Sequence, residues 1–424
     1  MKIHIKGGHL IDPANGVDAP RDLFIAAGKV VAVGTAPDGF GANRTLDATG
    51  CVVAPGLIDL AARLREPGFE YKATLESEMA AAVAGGVTSL ACPPDTDPPL
   101  DEPGLVEMLK FRARSLNQAK VFPLGALTMG LAGAALTEMA ELTEAGCVGF
   151  AQADAAVTDT LVLMRALQYA ATFGFSVWLR PEDGSLVKGG VAHDGEVAAR
   201  LGLSPISRCA ETVAVSTLLL LARETGVRLH LCRLSTRDGL EMVRQAKAEG
   251  VRVSCDVAVH HVHLCELDLG YFDSNCHLRP PLRGVRDRDA LREGLRDGTV
   301  DAICSDHTPV DDDAKQRPFA ESEPGATGLE LLLPLTLKWA RESKASLANA
   351  VSLLTVQPAR ILGLDLGHLR CGHAADVCVF EPEREWTVAP RALKSQGRNT
   401  PFLGLEVLGR VRWTLVDGQM VYEG

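Results

Sequence analysis

Eight short apolar segments run through the middle of this chain, and most are separated by a stretch with helical periodicity. They are 56–64, 88–94, 120–128, 147–152, 176–183, 228–235, 252–261 and 300–309. Between them lie helix-like runs such as ATLESEMAAAVAGG, LVLMRALQYAATFG and DGLEMVRQAKAEG. Strand–helix alternation repeated eight times predicts an α/β fold, a (β/α)8 TIM barrel. Most intervals are short, the longer ones following the fifth and seventh strands. In such barrels the chemistry sits at the C-terminal ends of the strands. The ends of the chain read differently. Residues 1–54 and the tail after 365 carry β-branched runs broken by Gly, Asp and Asn, as in HIKGGHLID and GRVRWTLVDGQMVYEG. Two β-rich ends flanking a long middle predict one composite β-sandwich domain from 1–54 and 365–424, around a barrel at 55–364. A length of 424 residues suits that pairing of a large and a small unit.

The net charge of -11 argues against a nucleic-acid partner, which needs clustered Lys and Arg. No apolar run is long enough to span a membrane. The N-terminus alternates like a strand and lacks the apolar core of a signal peptide, so a cytoplasmic location is expected. The 11 cysteines are scattered without a C-x-x-C pair and read as small, reduced, buried hydrophobes.

Alternate residues of a strand face opposite sides. In the first barrel segment this puts Ile58, Leu60, Ala62 and Leu64 toward the helices. Asp59, Ala61, Arg63 and Arg65 then face the barrel interior. Arginines near an inner strand end are costly unless they meet anions or water. A charged site is therefore expected at the barrel mouth.

The run PGLIDLAARLREPG at 55–68 resembles the Asp-x-His-x-His-x-Arg-Glu-Pro-Gly signature of dihydroorotases, within the amidohydrolase superfamily. CPPDTDP at 92–98, LRPED at 179–183, HLCRLST at 230–236, RPPLR at 279–283 and CSDHTP at 304–309 also resemble segments of that family. So do PGATGLE at 324–330, QPARILGL at 357–364 and NTPFLG at 399–404. The resemblance implies metal-assisted opening of a cyclic amide. Histidines of the first, fifth and sixth strands, a fourth-strand carboxylate and an eighth-strand Asp hold the metals. The metals lower the pKa of bound water from ~15.7 to about 7.

Carried over by position, most of that set is gone. The paired histidines are Ala61 and Arg63, and the later ones are Arg180 and Arg233. The fourth-strand carboxylate falls at Gln152 or Ala153, with Asp154 one step away. Asp306 and Arg65 persist. Asn positions that serve the substrate are Asp95 and Arg279. Arg65 beside Asp95 is expected to pair internally and bind a carboxylate less well. Zinc needs neutral imidazoles, thiolates or carboxylates, and a guanidinium cannot ligate it. The expected site therefore has no metal, no cofactor and no catalytic residue, with arginines paired to Asp306 in place of dications.

This pattern resembles the inactive dihydroorotase-like chain of larger bacterial aspartate transcarbamoylases. It implies a pseudoenzyme subunit, in a homo-oligomer or hetero-oligomer with the transcarbamoylase catalytic chain, serving pyrimidine biosynthesis. Two alternatives remain: a residual cyclic-amide hydrolase working through Asp306, and an anion sensor built on Arg63, Arg65, Arg180 and Arg233. VHHVH at 259–263, His230 and His307 are expected to be structural. The run DDD at 311–313 reads as a solvated loop.

Overall fold

All eight expected strands are present in the computed structural model, which describes residues 1–424. They are β1 (Leu57–Asp59), β2 (Val87–Cys92), β3 (Lys120–Pro123, continuing at Gly125–Ala126) and β4 (Phe150–Ala151). There follow β5 (Ser176–Leu179), β6 (Arg228–Leu231), β7 (Val253–Ala258) and β8 (Ala302–Cys304). Neighbouring pairs are parallel wherever they form a ladder. The ring closes just beyond β1 and β8, where the Arg63 N–H donates to the His307 carbonyl (2.9 Å) and the His307 N–H to Ala61 (2.9 Å). The fold is a TIM barrel with an additional β-domain.

Helices cover the outside because each crossover has an apolar stripe and its own end signals. Thr74, Asp159 and Thr236 cap N-termini with their side chains, and Gly174, Gly226 and Gly298 end helices in the left-handed region. One core cluster lies between strands and helices. A second, smaller one fills the barrel with residues from successive strands, including Ile58, Leu60, Ala91, Trp178, Ala258 and Cys304.

That inner layer corrects the reading of the first strand. Ile58 and Leu60 point inward, while Ala62 and Leu64 join the outer core. Regular β1–β2 pairing stops at Asp59, before the change. The backbone therefore changes parity before it delivers Arg63 to the mouth. VHHVH is also not strand; Val259–His263 is a short helix after β7.

The chain ends build two sheets around a core that includes Ile3, Ile5, Leu23, Ile25, Trp413 and Leu415. Val377–Thr387 pairs with Val52–Pro55 across the two termini. This shared strand pair serves two cores by simple alternation. Val53, Val377 and Val379 enter the sandwich, whereas Val52, Ala54, Cys378 and Phe380 enter the barrel's outer core. After Thr387 the chain leaves the sheet and packs Val388, Leu393 and Phe402 on the barrel. Asn399 there donates to the carbonyls of Thr308 (2.9 Å) and Gly325 (3.0 Å), fixing the loop after β8. All the cysteines are unpaired, and only Cys209 and Cys371 are exposed. No helix is long and apolar enough to cross a membrane.

Candidate functional site

The strand ends bring a network of arginines and carboxylates together at the barrel mouth. Asp154, in the turn after β4, stands at its centre. Its carboxylate accepts from Arg63 Nη2 (2.9 Å), Arg180 Nε (2.8 Å) and Arg233 Nη2 (2.7 Å). Asp306, after β8, accepts from Arg233 Nη1 at 2.7 Å and more distantly from Arg63 Nη1 at 3.5 Å. Arg63 spends its remaining donors on Asp95 (2.7 Å) and the Thr308 hydroxyl (2.9 Å). Arg180 also forks onto Glu182, which in turn accepts from Arg279 at 3.0 Å. The side chains of Arg63, Arg180 and Arg233 are at most 6% exposed, so these are desolvated, charge-assisted bonds.

The electrostatics follow from the geometry. Burial alone would raise the Asp154 pKa, but Arg63, Arg233 and Arg180 outweigh it and hold the carboxylate well below its usual range. Burial disfavours the Arg233 cation, yet Asp306 and Asp154 more than compensate and raise its pKa. Burial and the neighbouring Arg63 cation push Arg65 the other way.

The expected residues do not all take part. Gln152 is buried but turned aside, donating to the Thr128 hydroxyl (2.8 Å) and the Leu131 carbonyl (2.9 Å). Ala153 between them has φ 49°, and this left-handed turn carries Asp154 into the mouth. Of the three candidate positions on the fourth strand, only Asp154 reaches the site. Asp95 pairs with Arg63 and not, as expected, with Arg65. The Arg65 side chain makes one protein hydrogen bond, Nε to the Pro309 carbonyl (2.8 Å). Ala61 lines the mouth with a methyl group and bonds only through its backbone. Glu182 was within a quoted motif but escaped notice; an acid two residues beyond Arg180 was the available signal.

The neighbouring histidines are held in hydrogen bonds or apolar packing. His230 lies against Asp256 (3.1 Å) and Ser254 (2.9 Å). His307 contacts Glu78 through Nε2 and accepts the Gly328 N–H (3.1 Å) at Nδ1. His261 and His263 donate to carbonyls of Pro280 and Leu335, and His260 stacks on Phe402. Asp311, Asp312 and Asp313 are exposed.

Four non-glycine residues at the mouth, Arg65, Ala153, Arg233 and Asp306, have φ between 45° and 64°. Each such conformation costs of order 1–3 kcal/mol and concentrates where function has shaped a site. The donor set does not fit a pair of metal ions. The three aspartates are already bonded to guanidinium groups, and the network contains no imidazole or thiolate.

An eight-stranded parallel barrel with a satellite β-sandwich and a polar site at its strand ends is the architecture of the amidohydrolase superfamily. Residues 50–239 match the dihydro-orotase-like family model, and residues 217–422 match an amidohydrolase family model. The chain is 47% identical over 424 residues to a dihydroorotase-like protein of Pseudomonas aeruginosa, covering all of both chains. It is 42% identical over 426 residues to a dihydroorotase of Geobacter sp. strain M21, again covering both fully. The L-hydantoinase of Arthrobacter aurescens superposes with a TM-score of 0.89 at 25% identity, over 99% of this chain and 96% of that one. The chain belongs to the dihydroorotase-like family of the amidohydrolase superfamily.

Proposed function

We propose that this chain is a non-catalytic member of its family and acts as an assembly subunit for the catalytic chain of aspartate transcarbamoylase. One observation carries the loss of catalysis. Three positions that hold histidine in the family's segments are Arg63, Arg180 and Arg233, and Asp95, Asp154, Glu182 and Asp306 pair with them. These ion pairs occupy the place of two dications. A barrel maintained without its chemistry serves as a scaffold, and the resemblance set out above supplies the partner.

The test is to express the transcarbamoylase of the same organism with and without this protein. Light scattering and a carbamoyl-aspartate assay then follow both preparations. Co-elution, together with a dependence of assembly or activity on this chain, is the expected result. Equal assembly and activity without it, and no co-elution, would refute the scaffold.

Relatives named dihydroorotase make the hydrolase reading worth a direct assay. Restoring histidine at positions 61, 63, 180 and 233 is expected to leave dihydroorotate ring opening far below that of an efficient enzyme. Gln152, Asp95 and Arg279 would still be in place. Near-normal turnover in this variant would show that the loss is confined to the metal positions. One observation favours anion sensing as a second reading: no protein group accepts from the Nη atoms of the buried Arg65. Stabilisation by carboxylates or nucleotides in a thermal-shift series, abolished in Arg65→Met, would support it.

A further inference from the structure

At the opposite end of the barrel, the loop from the helix Val356–Leu362 to the strand Val377–Thr387 gathers a second polar cluster. Asp365, His368 and His373 each bring one ligand atom to within 4.8 Å of the others. Asp365 Oδ1 lies 2.9 Å from His368 Nε2, and Oδ2 lies 3.1 Å from His373 Nε2. The rings stand nearly perpendicular, at 85° with centroids 4.9 Å apart. Ligand atoms of a tetrahedral site with bonds of about 2.0–2.1 Å are about 3.3 Å apart, so each imidazole already stands near that separation from one of the two Asp365 oxygens.

We infer that Asp365, His368 and His373 bind a divalent transition-metal ion of zinc's class at the junction of barrel and sandwich. Two imidazoles and a carboxylate are a donor set such ions favour over Mg²⁺ or Ca²⁺. A water is available as the fourth ligand.

The loop is held before any ion arrives. Leu369, in the sandwich core, donates its N–H to Asp12 Oδ2 at 2.8 Å. Gly372 donates to the Val30 carbonyl (2.8 Å), and Val30 returns a bond to the His373 carbonyl (3.0 Å). Nδ1 of His373 faces the Cys371 carbonyl at 3.3 Å, the outer hydrogen bond that leaves Nε2 free for a metal. The cluster borders a small cavity with Gly56, Thr88 and Ser89, at the N-terminal ends of β1 and β2. That face of a barrel serves stability, so the ion would clip the two units together.

Two contacts oppose a cation. Arg370 Nη1 is 3.7 Å from Asp365 Oδ1, and the Arg370 N–H meets His368 Nδ1 at 3.3 Å. Loading must displace the guanidinium and move the His368 proton off Nε2. Arg370→Ala is therefore expected to bind more tightly than the parent chain.

The experiment uses the untagged, full-length, chelator-treated protein, dialysed against Zn²⁺ or Co²⁺. About one ion per chain is expected, with a Co²⁺ visible spectrum of nitrogen–oxygen ligation and an upward thermal shift. Asp365→Asn and His373→Gln alter exposed or half-exposed side chains and keep the test open if a variant at the buried His368 misfolds. Each is expected to weaken binding by at least about tenfold. Absence of saturable uptake, or uptake that survives both substitutions, overturns the site. Neither outcome depends on the scaffold reading.

Discussion

Replacing Asp154 with alanine is expected to destabilise the protein clearly, though by less than the about 3–5 kcal/mol of a fully buried charge pair, because the Asp154 side chain is 33% exposed while its three arginine partners are buried. The reason is geometric. Asp154 is the one carboxylate shared by Arg63, Arg180 and Arg233. Without it, Arg233 keeps only Asp306, Arg180 keeps only Glu182, and Arg63 keeps Asp95 and a more distant Asp306. Mutual repulsion between desolvated guanidinium groups then adds to their lost partner. Asp306→Ala should cost less, because it leaves all three arginines on Asp154. The folded-state pKa of Asp154 is depressed. Its contribution is therefore complete above the unfolded carboxylate value of about 3.9, and is lost only as pH falls through the lower folded value. The penalty of Asp154→Ala should accordingly be the same at pH 8 and pH 6. Urea denaturation of the parent and both variants measures it. An unchanged midpoint for Asp154→Ala would mean that water, not Asp154, satisfies the arginines.

Stability is also expected to collapse between about pH 6.5 and pH 4.5, with protons taken up on unfolding. Burial is the main cause, lowering His260 to about 3 and His193, His261, His263 and His277 to about 4. A histidine depressed in the fold is neutral there but protonates in the unfolded chain below about 6.5. The unfolded state thus binds more protons, so stability is full above that value and falls as pH drops. Each such group contributes about 1.4 kcal/mol per pH unit across the window. Glu330 acts in the opposite sense: burial raises it to about 7, so its protonation favours the fold as pH falls. Buried Asp59 and Asp376 are raised as well and add to that opposition. The balance is a loss on the order of 5–10 kcal/mol, comparable to the whole stability of a typical domain. Denaturation midpoints at pH 7 and pH 5 test this, and equal midpoints would contradict it. His263→Asn should reduce the slope by one proton.

The barrel was legible in the sequence because strand and helix periodicities are local. Each of the eight segments carries its own apolar pattern and end signals, and each overlaps an observed strand. Arg63, Arg180, Arg233 and Asp306 could be placed at the mouth because they follow strand ends. Pairing was not legible. Asp154 serves the site instead of Gln152 through one left-handed residue, Ala153. The first strand changes parity after Leu60, beyond the end of its regular pairing with β2 at Asp59. Neither event leaves a periodic trace.

Asp365, His368 and His373 passed unnoticed because their irregular loop has no period to read. Their approach depends on Asp12 and Val30, more than 330 residues away in the chain. By itself the sequence determined the alternation of strands and helices, the family signature and the substitution of arginines within it. Only the tertiary structure decided which carboxylate each arginine meets, because hydrogen-bond partners depend on backbone turns and long-range contacts that no local pattern encodes.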